Sequence, residues 1–161
     1  ASNAGDFIMR MIRGCAELGV APDLDTLVEL VPVDYVADAL ATLVARGEPG
    51  TWHLTNPTPL HAREFIALLG RLGYPMERVP YAEWRAHALA KLPPTNPLFP
   101  LLPFFAARAD AVSLRLPRFA TSETEAALGP LTCPPVGEAL LARSLAWLRA
   151  EGLLGAARPT P

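Results

Sequence analysis

The reactive side chains of this chain are few and scattered. Its 161 residues include three histidines, two cysteines, three tyrosines and one lysine, Lys91. A tyrosine four residues ahead of a lysine can act as an acid. The ammonium lowers the phenol's pKa, so the hydroxyl can hand a proton to a carbonyl. Tyr35, Tyr74 and Tyr81 are followed at that spacing by Ala39, Arg78 and Arg85, and His87 stands four residues before Lys91. That dyad cannot form within this chain. A dinucleotide needs a glycine-rich turn, so that backbone N–H groups can approach the pyrophosphate. The eleven glycines show neither GxGxxG nor GxxGxxG spacing.

Other chemistries have no better footing. His53, His61 and His87 are far apart, with no HExxH and no Cys/His pairing at metal spacing. No GxSxG elbow offers a serine nucleophile. Cys15 falls on an apolar helical stripe and reads as a packed core thiol. Cys133 precedes Pro134 and Pro135 and reads as part of a helix entry. Asp34, just after an apolar run and Pro32, reads as a helix N-cap. Such strand-to-helix junctions are also where α/β folds bind ligands.

The bulk composition narrows the class. With 51% hydrophobic residues the chain can build one real core. A net charge of −2 and no basic stripe argue against a nucleic-acid partner. The apolar runs are too short for a membrane span, and no charged-then-apolar leader opens the chain. Two distant cysteines fit a reduced, cytoplasmic protein.

The elements that must position these residues can be read from periodicity. Asp6 can cap a helix carrying Ile8, Met11, Ile12 and Cys15 on one stripe, with Gly19 as its stop. Leu27–Val31 reads as a buried strand. Val36, Leu40, Leu43 and Val44 form the stripe of a helix ending at Gly47. Thr51–Thr55 alternates and reads as a strand. Thr58 and Pro59 predict the next helix start, with Phe65, Leu68, Leu69 and Leu72 as its stripe. Glu77–Pro80 reads as a strand and Ala82–Lys91 as a helix. This α-β alternation predicts a helix-rich α/β fold with a small, partly parallel sheet flanked by helices. Residues 1–161 form one unit in three parts: an α/β part over 1–91, a proline-rich segment over 92–118 and a helical part over 119–155. Five prolines from Pro93 to Pro103 break any long helix in the middle part. Its apolar Leu98–Phe105 is either buried and irregular or a short broken helix pair. Thr121–Leu128 reads as a helix, and another starts at Pro134–Pro135 with Leu141, Leu145 and Leu148 inward.

Three phrases in order carry a resemblance. "GDFIMRMIRGCAELGVAPDLDTLVELVPVDYVADAL", "GTWHLTNPTPLHAREFIALLGRLGYPMERVPYAEW" and "RFATSETEAALGPLTCPPVGEALLARSLAWLRAEGLL" together span nearly the whole chain. They resemble the later part of terminal thioester reductase domains, of the extended short-chain dehydrogenase/reductase family. Such domains end nonribosomal peptide and polyketide assembly lines. The resemblance implies the C-terminal substrate subdomain of an extended Rossmann-type reductase. It implies a parent enzyme that uses NADPH to release a carrier-bound acyl or peptidyl thioester as an aldehyde or alcohol. The glycine loop and the Tyr/Lys pair would lie in an upstream nucleotide-binding half. The partner would be an acyl or peptidyl carrier protein bearing phosphopantetheine. Carboxylic acid, aminoadipate and fatty acyl reductases are related alternatives, and a non-catalytic interaction module is a third kind. No residue here matches a catalytic, cofactor or metal position. Phe7, Met11, Asp34 and Tyr35 are the expected substrate contacts, with a mobile Leu98–Phe105 as a further wall. A chain without its other half is expected to be inactive, to expose apolar surface and to self-associate.

Overall fold

The computed structural model describes residues 3–47, 49–107 and 119–158; the end of the proline-rich segment, 108–118, lies outside them. Asp6 caps helix α1 (Phe7–Leu18) as its position predicts, accepting from the Met9 N–H at 2.7 Å. A cap of this kind stabilises a helix by about 1 kcal/mol. Gly19 ends the helix at φ 73°, a left-handed conformation that glycine adopts without strain. Met9, Ile12 and Cys15 turn into the core, while Ile8 and Met11 are only half-buried.

The sheets differ from the expected pattern. Strand β1 (Val20–Asp23) forms where the sequence suggests a boundary, and it pairs in parallel with β4 (Glu77–Pro80). Pro22 and Pro80 are tolerated because a two-stranded sheet has only edge strands. The strand expected over Leu27–Val31 shrinks to β2 (Leu27–Val28), paired antiparallel with β3 (Leu60–His61). Thr51–Thr55 is not a strand. No neighbouring strand among the described residues takes up its backbone, and the His53 N–H donates to the Thr124 hydroxyl instead, at 3.1 Å. The parallel element of the sheet is therefore real, but smaller than the alternation suggests.

Two helix starts also move. Helix α2 spans Val33–Arg46, and its N-cap position is Pro32, not Asp34. Asp34 lies inside the first turn, where its carboxylate accepts from the Tyr35 N–H at 3.1 Å and complements the helix dipole. Helix α3 (Ala62–Arg71) starts after His61 instead of at Thr58–Pro59. The His61 Nδ1 accepts from the Arg63 N–H, and its Nε2 lies 3.0 Å from Asp25. Thr58 instead donates both its N–H and its hydroxyl to the Asn56 side-chain oxygen.

Tyr81–Lys91 is helical, as expected, but changes pitch twice. A short α4 (Tyr81–Glu83) widens into a π turn over Trp84–Ala88 and tightens into a 3₁₀ turn over Leu89–Lys91. Trp84 is fully buried there, and among the described residues its indole N–H finds no acceptor. The proline-rich segment is the broken helix pair: a 3₁₀ turn over Phe99–Leu101 and α5 (Leu102–Ala106). Helices α6 (Ser122–Leu128) and α7 (Glu138–Ala150) follow. Helix α7 begins after Gly137, not at Pro134–Pro135.

Three apolar clusters hold these elements. One joins α1, α3 and α7 through Ile12, Phe65, Leu69, Leu141, Leu145 and Leu148. A second joins α1 and β1 to Trp84, Leu98 and Phe105. The third packs Tyr35, Ala39 and Leu43 of α2 against Ala127, Leu128 and Cys133. Helix α2 thus buries Tyr35, Ala39 and Leu43; of the expected 36/40/43/44 stripe only Leu43 is buried and Val36 half-buried. Val33, Leu40 and Val44 stand exposed on it. No helix among the described residues is long and apolar enough to cross a membrane.

Candidate functional site

The half-buried side of α1 faces a cavity of about 610 Å³. That size lies in the range of small-molecule sites. Phe7 and Met11 of α1 form one side, and Ala62, Phe65 and Ile66 of α3 the opposite one. The floor comes from Ala21 and Pro22 of β1 and from Leu27–Glu29 at β2. Phe104 and Phe105 of α5 complete the wall beside Phe7.

The aromatic side of the wall is a connected cluster. The rings of Phe7 and Phe104 lie 5.1 Å apart, and those of Phe104 and Phe105 meet edge to face at 5.2 Å. Phe105 in turn meets Trp84 edge to face at 5.1 Å. Contacts of this kind add about 0.5–1.5 kcal/mol each beyond burial. Phe7 keeps 37% of its surface exposed, so it forms the rim, whereas Phe105 at 1% is the anchor.

Hydrogen bonds tie the segment that carries Phe104 and Phe105 to α1. Asn96 donates to the Gly14 carbonyl at 3.3 Å and to Glu17 at 2.9 Å, and its oxygen accepts from the Leu98 N–H at 2.9 Å. Arg10 adds a bond to the Pro97 carbonyl. Asn56 does the same for the floor. Its side chain donates to the carbonyls of Leu30 and Pro134, at 2.8 and 2.9 Å, and its N–H donates to Glu29 at 3.0 Å. Periodicity does not reveal either asparagine. Both stand in the phrase Thr-Asn-Pro, at 55–57 and 95–97, and each side chain closes a turn on the N–H two residues on. That repeated phrase is the signal for them.

Of the four expected substrate contacts, the fold brings Phe7 and Met11 together on the cavity. Asp34 and Tyr35 do not line it. Asp34 is exposed, 3.9 Å from Arg143, and Tyr35, on α2, packs in the cluster with Ala127, Leu128 and Cys133. Among the described residues no group of three or more His, Cys, Asp and Glu could hold a metal ion.

Cys15 lies at the cavity's inner edge, and burial pushes its thiol up to about 12. Burial, then the Glu29 and Asp34 carboxylates, push Cys133 up to about 11. Both are therefore neutral, poor nucleophiles in the fold. Iodoacetamide at pH 8 is expected to leave both untouched in the native chain and to label both in urea. The unfolded thiol ionises near 9.0 while the folded Cys15 keeps its proton to about 12. Stability is therefore intact below about pH 9 and lost as pH rises from about 9 towards 12, at up to about 1.4 kcal/mol per pH unit. Urea titrations between pH 8 and 10.5 check this, and Cys15→Ala should flatten the slope.

Five of the eleven glycines serve helix ends. Those with positive φ among the described residues are Gly19, Gly47, Gly73, Gly129 and Gly152. Each sits at or just past a helix C-terminus, where carbonyls are displayed, whereas a pyrophosphate needs N–H groups.

An apolar cavity bordered by α1, β1, α3 and α5 is thus the main concave feature among the described residues. The terminal R domain from the myxalamid PKS-NRPS biosynthetic pathway superposes over 99% of this chain with a TM-score of 0.87 and 32% identity, and the chain covers 41% of that domain. An L-2-aminoadipate reductase large subunit from Eremothecium gossypii is 41% identical over 107 residues, 63% of this chain and 8% of the relative. A nonribosomal peptide synthetase from a Cladobotryum species is 34% identical over 173 aligned residues, 94% of this chain and 16% of the relative. No family model matches the chain. The chain belongs with the terminal reductase domains of nonribosomal peptide and hybrid polyketide synthetases and their aminoadipate reductase relatives, and it spans only a part of them.

Proposed function

We propose that this chain is the substrate-side subdomain of an NADPH-dependent thioester reductase. The enzyme releases a carrier-bound acyl or peptidyl chain as an aldehyde or alcohol. The observation that carries this reading is the whole-chain superposition on a terminal R domain, with an open apolar cavity inside the superposed region. In this reading α1, α3 and α5 hold the acyl chain and exclude water from it. Phe7 and Met11 touch the substrate; Asp34 and Tyr35 serve the first turn of α2. The sequence has neither a glycine-rich GxGxxG spacing nor a Tyr-x-x-x-Lys pair, and in this reading the nicotinamide cofactor and the proton donor belong to the rest of the reductase. The carrier protein presents the acyl group on its phosphopantetheine arm at the Phe7 rim. The exposed Val33, Leu40 and Val44 of α2 form a face for the rest of the enzyme, and a chain isolated from it would self-associate there.

A second reading, an aminoadipate reductase, has the 41% identity in its favour. The cavity lining speaks against it.

The test compares the intact reductase with the isolated 161-residue chain. Each is mixed with NADPH and an acyl-loaded carrier, and absorbance is followed at the nicotinamide band. The intact enzyme should consume NADPH and yield an aldehyde or alcohol, and the isolated chain should do neither. Turnover by the isolated chain, or none by the intact enzyme with any acyl-loaded carrier, would overturn the proposal.

A further inference from the structure

We propose that the cavity accepts an uncharged, apolar acyl chain and rejects an aminoadipyl group, despite the chain's 41% identity to an aminoadipate reductase. This rests on the cavity being the acyl site of a reductase. The inference comes from the charges that the wall contains. Among the described residues, no lysine, arginine or histidine lines the cavity. Its ionisable side chains are Cys15, Tyr81 and Glu29.

Three arginines on the wall-forming helices are engaged elsewhere, and Arg71, at the end of α3, does not line the cavity. Arg10 bonds the Gly5 and Pro97 carbonyls, Arg13 those of Leu153 and Ala4, and Arg63 the Asp23 carboxylate at 2.8 Å. A carrier-bound aminoadipyl group keeps an ammonium and a carboxylate. Glu29 could meet the ammonium, although it already accepts the Asn56 N–H. Among the described residues the carboxylate has no lining cation to meet, and the one lining carboxylate, Glu29, is its like charge. Removing an unpaired carboxylate from water is strongly unfavourable, and a second carboxylate nearby makes it worse. An alkyl chain meets none of these penalties and gains the contact of Met11, Ala62, Phe65, Ile66 and Phe104.

The test uses calorimetry on the intact reductase. Two probes are the octanoyl and L-2-aminoadipyl derivatives of pantetheine in which the thioester sulfur is replaced by NH. The octanoyl probe should bind at least about tenfold more tightly. Phe7→Arg, at a rim position already 37% exposed, should weaken octanoyl binding and narrow that difference. Equal or tighter binding of the aminoadipyl probe overturns the inference, as does failure of both probes to bind. NADPH consumption is measured separately with the matching thioesters. Octanoyl binding without any reduction would count against the reductase reading while leaving the cavity's preference standing.

Discussion

Asn56→Ala is expected to cost about 3–5 kcal/mol of folding stability. For a chain of this size that lowers the melting temperature by about 10 °C. Asn56 is 4% exposed, and its side chain makes four bonds. Two go to carbonyls in separate segments, Leu30 before α2 and Pro134 before α7. The other two close the turn onto Thr58. Alanine leaves those carbonyls and the Thr58 N–H without partners. A buried group left unpaired costs about 1–3 kcal/mol, and the losses are not fully additive. Asn56→Asp should be worse, because it keeps the acceptor for Thr58 but sets a carboxylate against two carbonyls. Urea or thermal unfolding gives the number. A loss below about 1 kcal/mol would mean that water reaches all three segments and that the junction is not a buried hub.

Gly14→Val should be nearly as damaging, and its damage should concentrate at the cavity. Helix interiors ordinarily prefer other residues to glycine, so on propensity alone the change is favourable by a few tenths of a kcal/mol. Packing decides otherwise. A Cβ at Gly14 would stand 2.3 Å from the Leu98 Cγ and 2.7 Å from the Asn96 Oδ1. Leu98 is 0% exposed and Asn96 3%, so neither has free space to move into. The expected loss is about 2–4 kcal/mol, above the usual overpacking range for a single methyl. The segment carrying Phe104 and Phe105 should lift from α1 and lose its hold on the cavity. Hydrogen exchange should show the Leu98 and Leu101 amides, which bond Asn96 and Leu98, opening earlier than those of α7. Gly14→Ala should show a milder form of the same pattern. Unchanged protection in Gly14→Val would contradict the close contact of this segment with α1.

Much of the helical framework was legible in the residue pattern because caps and stops are local. Asp6 and Gly19 bound α1 by short-range bonds, and Gly47 does the same for the end of α2. What the pattern misplaced depended on partners far along the chain. Thr51–Thr55 alternates like a strand, but a strand needs a neighbour, and the described chain supplies none. No strand is read over Val20–Asp23 in the residue pattern, because the partner that makes β1 a strand, β4, lies more than fifty residues away. Helix α2 is apolar on two faces, so periodicity alone could not choose between burying Tyr35, Ala39 and Leu43 and burying Leu40 and Val44. The cavity was half legible. Phe7 and Met11 sit on the open side of an amphipathic stripe, which is a local fact. Asp34 follows an apolar run that makes only two residues of strand, and it lies in the first turn of α2, outside the cavity lining. The asparagines at 56 and 96 escaped because a polar residue before proline usually marks an exposed turn. Here both asparagine side chains are buried, although Pro57 and Thr58 beside the first stay exposed.

The central claim is that the face of α1 bearing Phe7 and Met11 holds the acyl chain of a carrier-bound substrate. A pantetheine-linked acyl chain with a photoreactive diazirine at its tip tests this most directly. The intact reductase is irradiated with the probe, digested and mapped by mass spectrometry. The account predicts adducts on Phe7, Met11, Phe65 or Phe104, suppressed by excess octanoyl pantetheine. Adducts confined to other parts of the enzyme, with these four residues unlabelled, would contradict it.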